Sequence, residues 1–335
     1  MKKALQTLFS WLILILLVAS CNKQNFLTDT NVSLNFSADT VMFDTIFSTF
    51  GSTTKQLRVY NHYNQPLKIS SIRLGRGNST GFRLNIDGIE GIKASDIEIP
   101  AKDSLYIFIE VTVNPTGQNQ PMVIQDSIIF NTNGHQQDID VVAYGQDVHL
   151  FKKAIIGTQT WTADKPYLIY DYLAVDSLET LTIEAGTQIY LHKNAIFYVG
   201  GTLHVNGEKD NEVVFQGDRL EDLYNELPGQ WGLLAFAPGS QDNTMNHTVI
   251  KNGTLGMQIG LYNDYHYPDL TITNSTIKNI STIGIYAFGA QIKAENLVIA
   301  NCGSYALGIW RGGSYSFTHC TIGNYWSAFT NRSVP

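Results

Sequence analysis

The C-terminal part of the sequence repeats one six-residue phrase, and this repeat decides the fold. In chain order the copies read HTVIKN at residues 247–252, NSTIKN at 274–279, NLVIAN at 296–301 and HCTIGN at 319–324. The closing asparagines follow one another every 22 to 27 residues. Repetition at a period of about 20 to 50 residues is typical of a solenoid, in which each repeat buries its apolar face against its neighbours.

Apolar residues fall on alternate positions between these copies, as at Leu270 and Ile272 and again at Ile283 and Ile285. A period of two predicts strands, and the region has no helical 3.6-residue pattern. Strands that recur at this interval without helices indicate the coils of a parallel β-helix. Asparagine suits the tight turn of each coil because it tolerates the left-handed conformation. We therefore predict a structural ladder of stacked amides formed by Asn252, Asn279, Asn301 and Asn324.

The composition indicates a β-rich protein from outside the cytoplasm. The 335 residues are 44% hydrophobic and 15% charged, with 28 Gly and 17 Tyr, and a charged fraction this low is unusual for a cytoplasmic protein. The net charge of -7 offers no basic face for phosphates, so nucleic acid is an unexpected partner. Three cysteines are too few for a disulfide scaffold, and whether Cys302 and Cys320 are bonded stays open.

The first 21 residues have the pattern of a secretory signal. A cationic start (Met1-Lys2-Lys3) precedes an apolar run that is short for a membrane-spanning helix. The run ends in VASC at residues 18–21, which resembles the bacterial lipobox, in which the cysteine becomes the lipidated first residue. This resemblance implies lipidation at Cys21, with several acyl chains holding the protein in a membrane. Because Asn22 and not Asp follows, we expect the outer membrane, on either face, and a tether over residues 22–30.

Residues 31–148 contain about seven short alternating runs separated by Gly, Pro and Asn, which predicts an antiparallel β-sandwich. Asn133-Gly134 is typical of a type I′ hairpin turn. The order of the phrases, from FDTI at 43–46 to VAYG at 142–145, resembles an immunoglobulin-like family of bacterial lipoproteins and cilia- and centrosome-associated proteins. The resemblance implies a spacer or protein-contact role and transfers no catalytic residue.

Residues 149–335 are predicted to form the solenoid. The phrases LTIEAGTQI at 181–189, GTLHVNG at 201–207 and PGQWG at 228–232 resemble the opening coils of right-handed β-helix lipoproteins of Bacteroidota. The resemblance implies a pectin-lyase-like architecture, which does not by itself specify an activity. The chain ends at Pro335 without an evident polar cap, so we expect the sequence to be part of a longer reading frame.

Two insertions interrupt the coils. Residues 218–226 are acidic and are predicted to form a solvated flap with a helical turn; a calcium site is the alternative, although the segment lacks the spacing of an EF-hand loop. Residues 261–268 concentrate aromatic side chains, which are suited to contact a sugar or a protein. The predicted ligand-contact residues are Tyr262, Tyr265, His266 and Tyr267, and packing of the loop on its own coil is the alternative.

The repeat coils do not carry the residues of a polysaccharide hydrolase. Such chemistry needs two carboxylates about 5 to 9.5 Å apart, and Glu295 is the only acid between residues 270 and 335. Arg311 is the one candidate base for a lyase, with an exposed coil-turn arginine as the alternative. We therefore expect no cofactor, no metal and no catalytic residue in this chain.

Together these features predict an all-β chain, an Ig-like sandwich followed by a right-handed parallel β-helix, anchored to a membrane through Cys21. Its expected function is non-enzymatic binding of a glycan or a surface protein. The alternative is a polysaccharide lyase or glycoside hydrolase with its active coils beyond residue 335. The sequence leaves the oligomeric state open.

Overall fold

The computed structural model describes residues 25–48, 50–117 and 122–324. The predicted signal peptide and Cys21 lie outside this range. The described chain is nearly all β, with 60% of residues in strands, and N-terminal β-sheets precede a parallel β-solenoid of about seven turns. The predicted fold class is therefore confirmed. The described part divides into two compact units, which meet in sequence near residue 145.

The first unit consists of two five-stranded sheets that enclose one apolar cluster. Its strands are β1 Asn35–Phe36, β2 Thr40–Phe47, β3 Lys55–Tyr60, β4 Leu67–Leu74, β5 Phe82–Ile86, β6 Ile89–Gly91, β7 Lys93–Ile99, β8 Ser104–Val111, β9 Met122–Thr132 and β10 His135–Gln146. The sheet orders are β1-β3-β8-β5-β6 and β2-β10-β9-β4-β7. Alternation places Ile128 and Phe130 of β9 inside with at most 1% exposure. The seven runs expected from the sequence are all strands, and β1, β6 and β7 are additional.

The hairpin between β9 and β10 has the predicted turn. Asn133 and Gly134 both have positive φ (52° and 83°), as a type I′ turn requires, and Thr132 pairs with His135 across it. The Asn133 side chain donates to the carbonyls of Leu27 and Asp29 over 2.8 and 3.0 Å. The described end of the expected tether is thus hydrogen-bonded to this turn.

The second unit is the solenoid. Its strands are β11 His149–Ile156, β12 Gln159–Trp161, β13 Tyr167–Val175, β14 Thr180–Glu184, β15 Gln188–Leu191, β16 Ile196–Val199, β17 Thr202–Asn206, β18 Val213–Gly217, β19 Leu233–Phe236, β20 Thr244–Asn246, β21 Thr248–Lys251, β22 Met257–Ile259, β23 Asp269–Thr273, β24 Thr276–Ile280, β25 Ile283–Glu295, β26 Val298–Cys302, β27 Tyr305–Thr318 and β28 Thr321–Gly323. Each coil contributes strands to three faces.

Parallel pairing between coils defines these faces. The first face stacks β16, β19, β22 and the starts of β25 and β27. The second stacks β14, β17, β20, β23 and the ends of β25 and β27. The third stacks β15, β18, β21, β24, β26 and β28. Inward side chains of all three faces join one apolar core, and outward positions stay available for polar or functional residues.

Large side chains fill this core at successive levels. Trp161 stacks on Tyr167 with ring centroids 4.1 Å apart, and Phe197 meets Phe215 edge-on at 5.6 Å. Trp231 is fully buried, and its indole nitrogen donates to the Lys251 carbonyl over 2.8 Å. Such burial contributes roughly 25 cal/mol per Å² of apolar surface. Because each coil contacts only the coils next to it, this burial between neighbouring coils stabilises the whole stack.

Candidate aromatic binding site

The loop at residues 261–268, which we call the aromatic loop, lies at the corner where the first face turns into the second. It follows β22 and leads directly into β23. Tyr262 is 57% exposed and Tyr265 is 72% exposed. His266 is bonded to Asp264, both from its backbone N–H (2.9 Å) and through its Nδ1 (2.8 Å). The backbone bond from His266, followed by the side-chain bond, lowers the pKa of the Asp264 carboxyl.

Tyr267 differs from the other predicted contact residues because it packs on the solenoid itself. An ideal Cβ on Gly289 would lie 2.4 Å from Cε1 of this ring, so glycine at that corner leaves the space that Tyr267 fills. Gln241 also donates to the Tyr267 carbonyl over 2.9 Å. The loop thus combines a packed base with an exposed edge formed by Tyr262 and Tyr265.

Three aromatic residues that the sequence reasoning missed extend this edge over neighbouring coils. Phe288 of β25 meets the Tyr262 ring edge-on at 6.1 Å, and Tyr286 meets Phe288 at 4.4 Å. Trp310 of β27, which is 50% exposed, pairs in register with Phe288 and lies 6.2 Å from Tyr286. The sequence does contain a signal for them. Tyr286 and Phe288 stand at alternate positions of β25 and Trp310 pairs with Phe288, so all three side chains lie on the outer side of their strands.

Arg311 completes the cluster. Its guanidinium carbon lies 3.9 Å from the centre of the Tyr262 ring, within the range of a cation–π contact. The adjacent Tyr262 hydroxyl, together with nearby Tyr265, raises the pKa of the guanidinium. We call this set the aromatic patch: Tyr262, Tyr265, Tyr286, Phe288, Trp310 and Arg311.

A polar groove of about 670 Å³ runs along the second face, which begins where the aromatic loop ends. One row of in-register residues along it is His204, Thr244, Thr271, Lys293 and Ser316. A second row contains Asp269, Gln291 and Ser314. Hydroxyl, amide and charged groups therefore repeat at the spacing of adjacent strands, about 4.7–4.9 Å.

Two carboxylates line the groove on neighbouring coils, Asp242 and Asp269. Asp269 accepts a hydrogen bond from the Asn243 backbone N–H over 3.1 Å, and the Asn243 amide donates to the Asp269 carbonyl over 2.9 Å. These bonds fix the start of β23.

The predicted asparagine ladder is present at one of its steps. The Asn301 amide donates to the Asn279 oxygen over 3.3 Å. Asn252 instead donates to the carbonyls of Tyr224 and Asn225, while the Asn324 oxygen accepts from the Cys302 N–H over 2.8 Å. The structure thus joins two of the four residues directly.

A second ladder, with shorter hydrogen bonds between its asparagines, lies at the corner just before the third-face strand of these coils. Asn274 donates to Asn246, and Asn296 donates to Asn274, each over 2.9 Å. Asn246 itself donates to the Gly207 carbonyl over 3.0 Å. Asn274 and Asn296 have positive φ (49° and 52°), so one residue type serves both the turn and the ladder. These asparagines open the repeated phrase, whereas the prediction chose those that close it.

The acidic insertion at residues 218–226, which we call the strap, lies on the third face and contains a 3₁₀ turn at Asp222–Tyr224. Three of its four acids have separate partners. Asp218 contacts His192 of the coils over 2.7 Å, and Glu226 contacts Lys278 over 3.4 Å and the Asn279 amide, whereas Glu221 contacts Arg219 over 2.7 Å within the strap. Within the described residues no group of three or more His, Cys, Asp or Glu side chains is arranged to hold a metal ion. The strap is held by side-chain pairing to the coils.

Cys302 is buried and Cys320 is half-buried, and each thiol donates to a backbone carbonyl of its own coil, Ala300 over 3.6 Å and Thr318 over 3.3 Å. In the part of the chain that the structure describes, no helix is long and apolar enough to cross a membrane.

Comparison with known proteins gives only remote similarity. No protein family matches the chain, and no curated protein does. Among solved structures, the Escherichia coli chaperone DraB is 12% identical (TM-score 0.24; 34% of this chain and 55% of that one). PapD-like domain 7 of human CEP192 is also 12% identical (TM-score 0.24; 38% and 91%). A family 123 glycoside hydrolase from Clostridium perfringens is 7% identical (TM-score 0.23; 35% and 26%).

The chain thus spans about half of DraB and a quarter of the hydrolase. At these TM-scores the similarities carry no argument about function. The class of protein is defined by the fold alone, an all-β chain with a parallel β-solenoid.

Proposed function

We propose that this protein is an exported, lipid-anchored binding protein whose solenoid holds a glycan on the aromatic patch and the adjoining groove. The carrying observation is the convergence at one corner of three exposed aromatic rings, Tyr262 and Tyr265 of the aromatic loop and Trp310 of β27, over the half-buried Tyr286 and the buried Phe288 of β25. Isolated exposed apolar residues need no explanation, but a contiguous cluster beside a polar surface is typical of a binding site.

A glycan suits this combination better than a protein partner does. Sugar rings offer apolar faces that stack on Tyr262 or Trp310, and hydroxyl groups that bond to side chains such as Thr271, Gln291 and Ser314. A protein interface would need a desolvated apolar centre, whereas the surface beside the patch is polar and wet.

The anchor is part of the same proposal. The lipobox-like VASC at residues 18–21 and the resemblance to Bacteroidota lipoproteins support lipidation at Cys21 and an outer-membrane location. In this arrangement the N-terminal sandwich is an Ig-like spacer. Metabolic palmitate labelling of the native protein and of Cys21→Ala tests it: label that persists in the variant would contradict the anchor.

The binding experiment measures retention of the full-length protein on a panel of immobilised polysaccharides. We expect one glycan class to retain the protein and Trp310→Ala or Tyr265→Ala to lower the affinity at least tenfold, because stacking rings dominate such sites. Tyr198→Ala is the matched control, since Tyr198 is 39% exposed on the first face but lies several coils away. No retention on any glycan, or equal loss in the control, would overturn the proposal.

A second candidate function is turnover of the glycan, which Asp242 and Asp269 in the groove favour. Paired carboxylates are the groups that glycoside hydrolysis uses. The same panel distinguishes the two functions: reducing or unsaturated ends released into solution would replace binding by catalysis. Loss of that release in Asp242→Asn would assign it to the groove.

A further inference from the structure

Arg311 occupies an additional position in its coil. Strands β25 and β27 are paired on both sides of the corner, with Phe288 opposite Trp310 and Ala290 opposite Gly313. One residue, Gly289, closes this corner in β25, whereas β27 uses two, Arg311 and Gly312. The coil therefore turns the corner without an arginine, and the fold does not explain why one is present.

The backbone at this position is also unfavourable for arginine. Arg311 has a φ of 64°, in the left-handed region that side chains other than Asn, Asp and Gly rarely adopt. Strained non-glycine residues of this kind concentrate at binding and catalytic sites. The strain here coincides with a side chain that is held over the Tyr262 ring, with its guanidinium carbon 3.9 Å from the ring centre.

The charge of Arg311 has no protein counter-ion in the described ranges. None of the ion pairs found there includes it. Arg219 gives a direct contrast: its guanidinium also lies over a tyrosine, Tyr224 at 4.1 Å, but it is paired with Glu221 over 2.7 Å. The one acid in the sequence of the aromatic loop, Asp264, is already bonded to His266.

We propose that the glycan bound at the aromatic patch carries an anionic group, a carboxylate or a sulfate ester, and that the Arg311 guanidinium binds it. This inference rests on the proposed function and names its ligand class. Guanidinium offers a planar fork of donors that matches either oxyanion, and the two tyrosines keep the fork in place before the ligand arrives. The aromatic rings then stack on the sugar that carries the charge.

The test uses matched pairs of glycans: a uronic-acid polysaccharide with its carboxyl-reduced form, and a sulfated polysaccharide with its desulfated form. The native protein should bind one charged form roughly tenfold more tightly than its neutral partner, the effect expected of one charge-assisted contact. Arg311→Gln should remove this preference, so that the charged and neutral forms bind with similar affinity, and Arg311→Lys should keep part of it. Arg219→Gln, which removes the same charge beside a tyrosine, should change nothing.

Each result decides a different statement. Equal binding of charged and neutral forms would overturn the inference and leave glycan binding intact, and absence of binding to every glycan would overturn both. A charge preference that survives Arg311→Gln would also overturn it and point to Lys293 in the groove. The pair of glycans that shows the preference identifies the anionic group as a carboxylate or a sulfate.

Arg311→Gly, which relieves the left-handed strain, should lose the preference without a lower melting temperature. This variant separates recognition from folding.

Discussion

The Asn296 side-chain amide donates to the Asn274 oxygen on the preceding coil over 2.9 Å. The Asn274 amide in turn donates to the Asn246 oxygen, so the Asn274 side chain is hydrogen-bonded to the coil before it and to the coil after it. Because Asn274 also has a φ of 49°, it serves the stack in two separable ways, through its bonds and through its tolerance of the left-handed turn.

Substitution of Asn274 separates these two contributions. Asn274→Gly removes two hydrogen bonds and should lower the free energy of unfolding by about 1–2 kcal/mol. Asn274→Ala should lower the free energy of unfolding by about 1–2 kcal/mol more than Asn274→Gly, because the Cβ of alanine is sterically strained at positive φ. Urea denaturation of both variants measures the difference. Asn194→Gly is the control, since Asn194 has a φ of 63° and no side-chain hydrogen bond is found for it among the described residues; equal costs for the Ala and Gly variants at Asn274 would contradict the interpretation.

The corner at Gly289 should control the position of the aromatic loop. In Gly289→Ala the new methyl group would lie 2.4 Å from Tyr267 Cε1, and φ is 57°, so the ring must move and the turn is strained. We expect a lower melting temperature and weaker binding at the patch. Gly88→Ala has a comparable φ of 86° with open space around the new atom, so it reports the backbone cost alone. If the two variants lose equal stability and binding is unaffected, Tyr267 does not position the loop.

The strap should weaken in acid through Glu226. Partial burial acts to raise the pKa of this carboxyl, but the Asn279 hydrogen bond and the Lys278 charge outweigh it, so the pKa lies below its ordinary value of 4.5. A carboxyl with a depressed pKa in the folded state contributes stability above its unfolded pKa, and that contribution is lost as the pH falls through the folded pKa. The native protein should therefore melt slightly above Glu226→Gln at pH 7, and the gap should close as the pH falls through the folded pKa of Glu226. The effect is small because the side chain is 61% exposed; a gap that is constant with pH would exclude this role.

The two solenoid cysteines should behave as thiols of different accessibility. In the native protein a thiol reagent should modify Cys320, which is half-buried, and spare Cys302, which is fully buried. Both should react after denaturation without a reductant. Mass spectrometry of the labelled peptides measures this, and two unlabelled cysteines under denaturing conditions would reveal a disulfide instead.

Most of the fold could be predicted because the informative patterns are local. Alternation identified the strands, Asn133-Gly134 identified a hairpin, and the phrase at residues 274–279 gave the period of the coils. Strands such as β6, with three exposed residues, carry no such alternation and were missed. The predicted ladder is present at the step from Asn301 to Asn279, and the ladder through Asn246, Asn274 and Asn296 was not predicted, because the sequence shows which residues recur but not which side chains face each other between coils.

Only half of the candidate site could be predicted from the sequence, for the same reason. The aromatic loop is contiguous, so Tyr262 and Tyr265 could be identified from the sequence. Tyr286, Phe288 and Trp310 lie 20 or more residues further along and join the loop only through the register of β25 and β27. From the sequence, Arg311 is either a candidate lyase base or an exposed arginine in a coil turn; its contact with Tyr262 is not predicted, because the two residues are 49 positions apart in the chain.

The corner after the first face takes three different lengths in successive coils: eight residues after Gly260, one at Gly289, and two at Arg311 and Gly312. The buried strands on either side keep their register through each of them. The length of this corner can therefore change without a change in the pairing of the core strands. If the proposed binding occurs at the aromatic patch, segments of other lengths grafted at this corner should change the ligand, and natural variation in specificity should accumulate here sooner than in the coils.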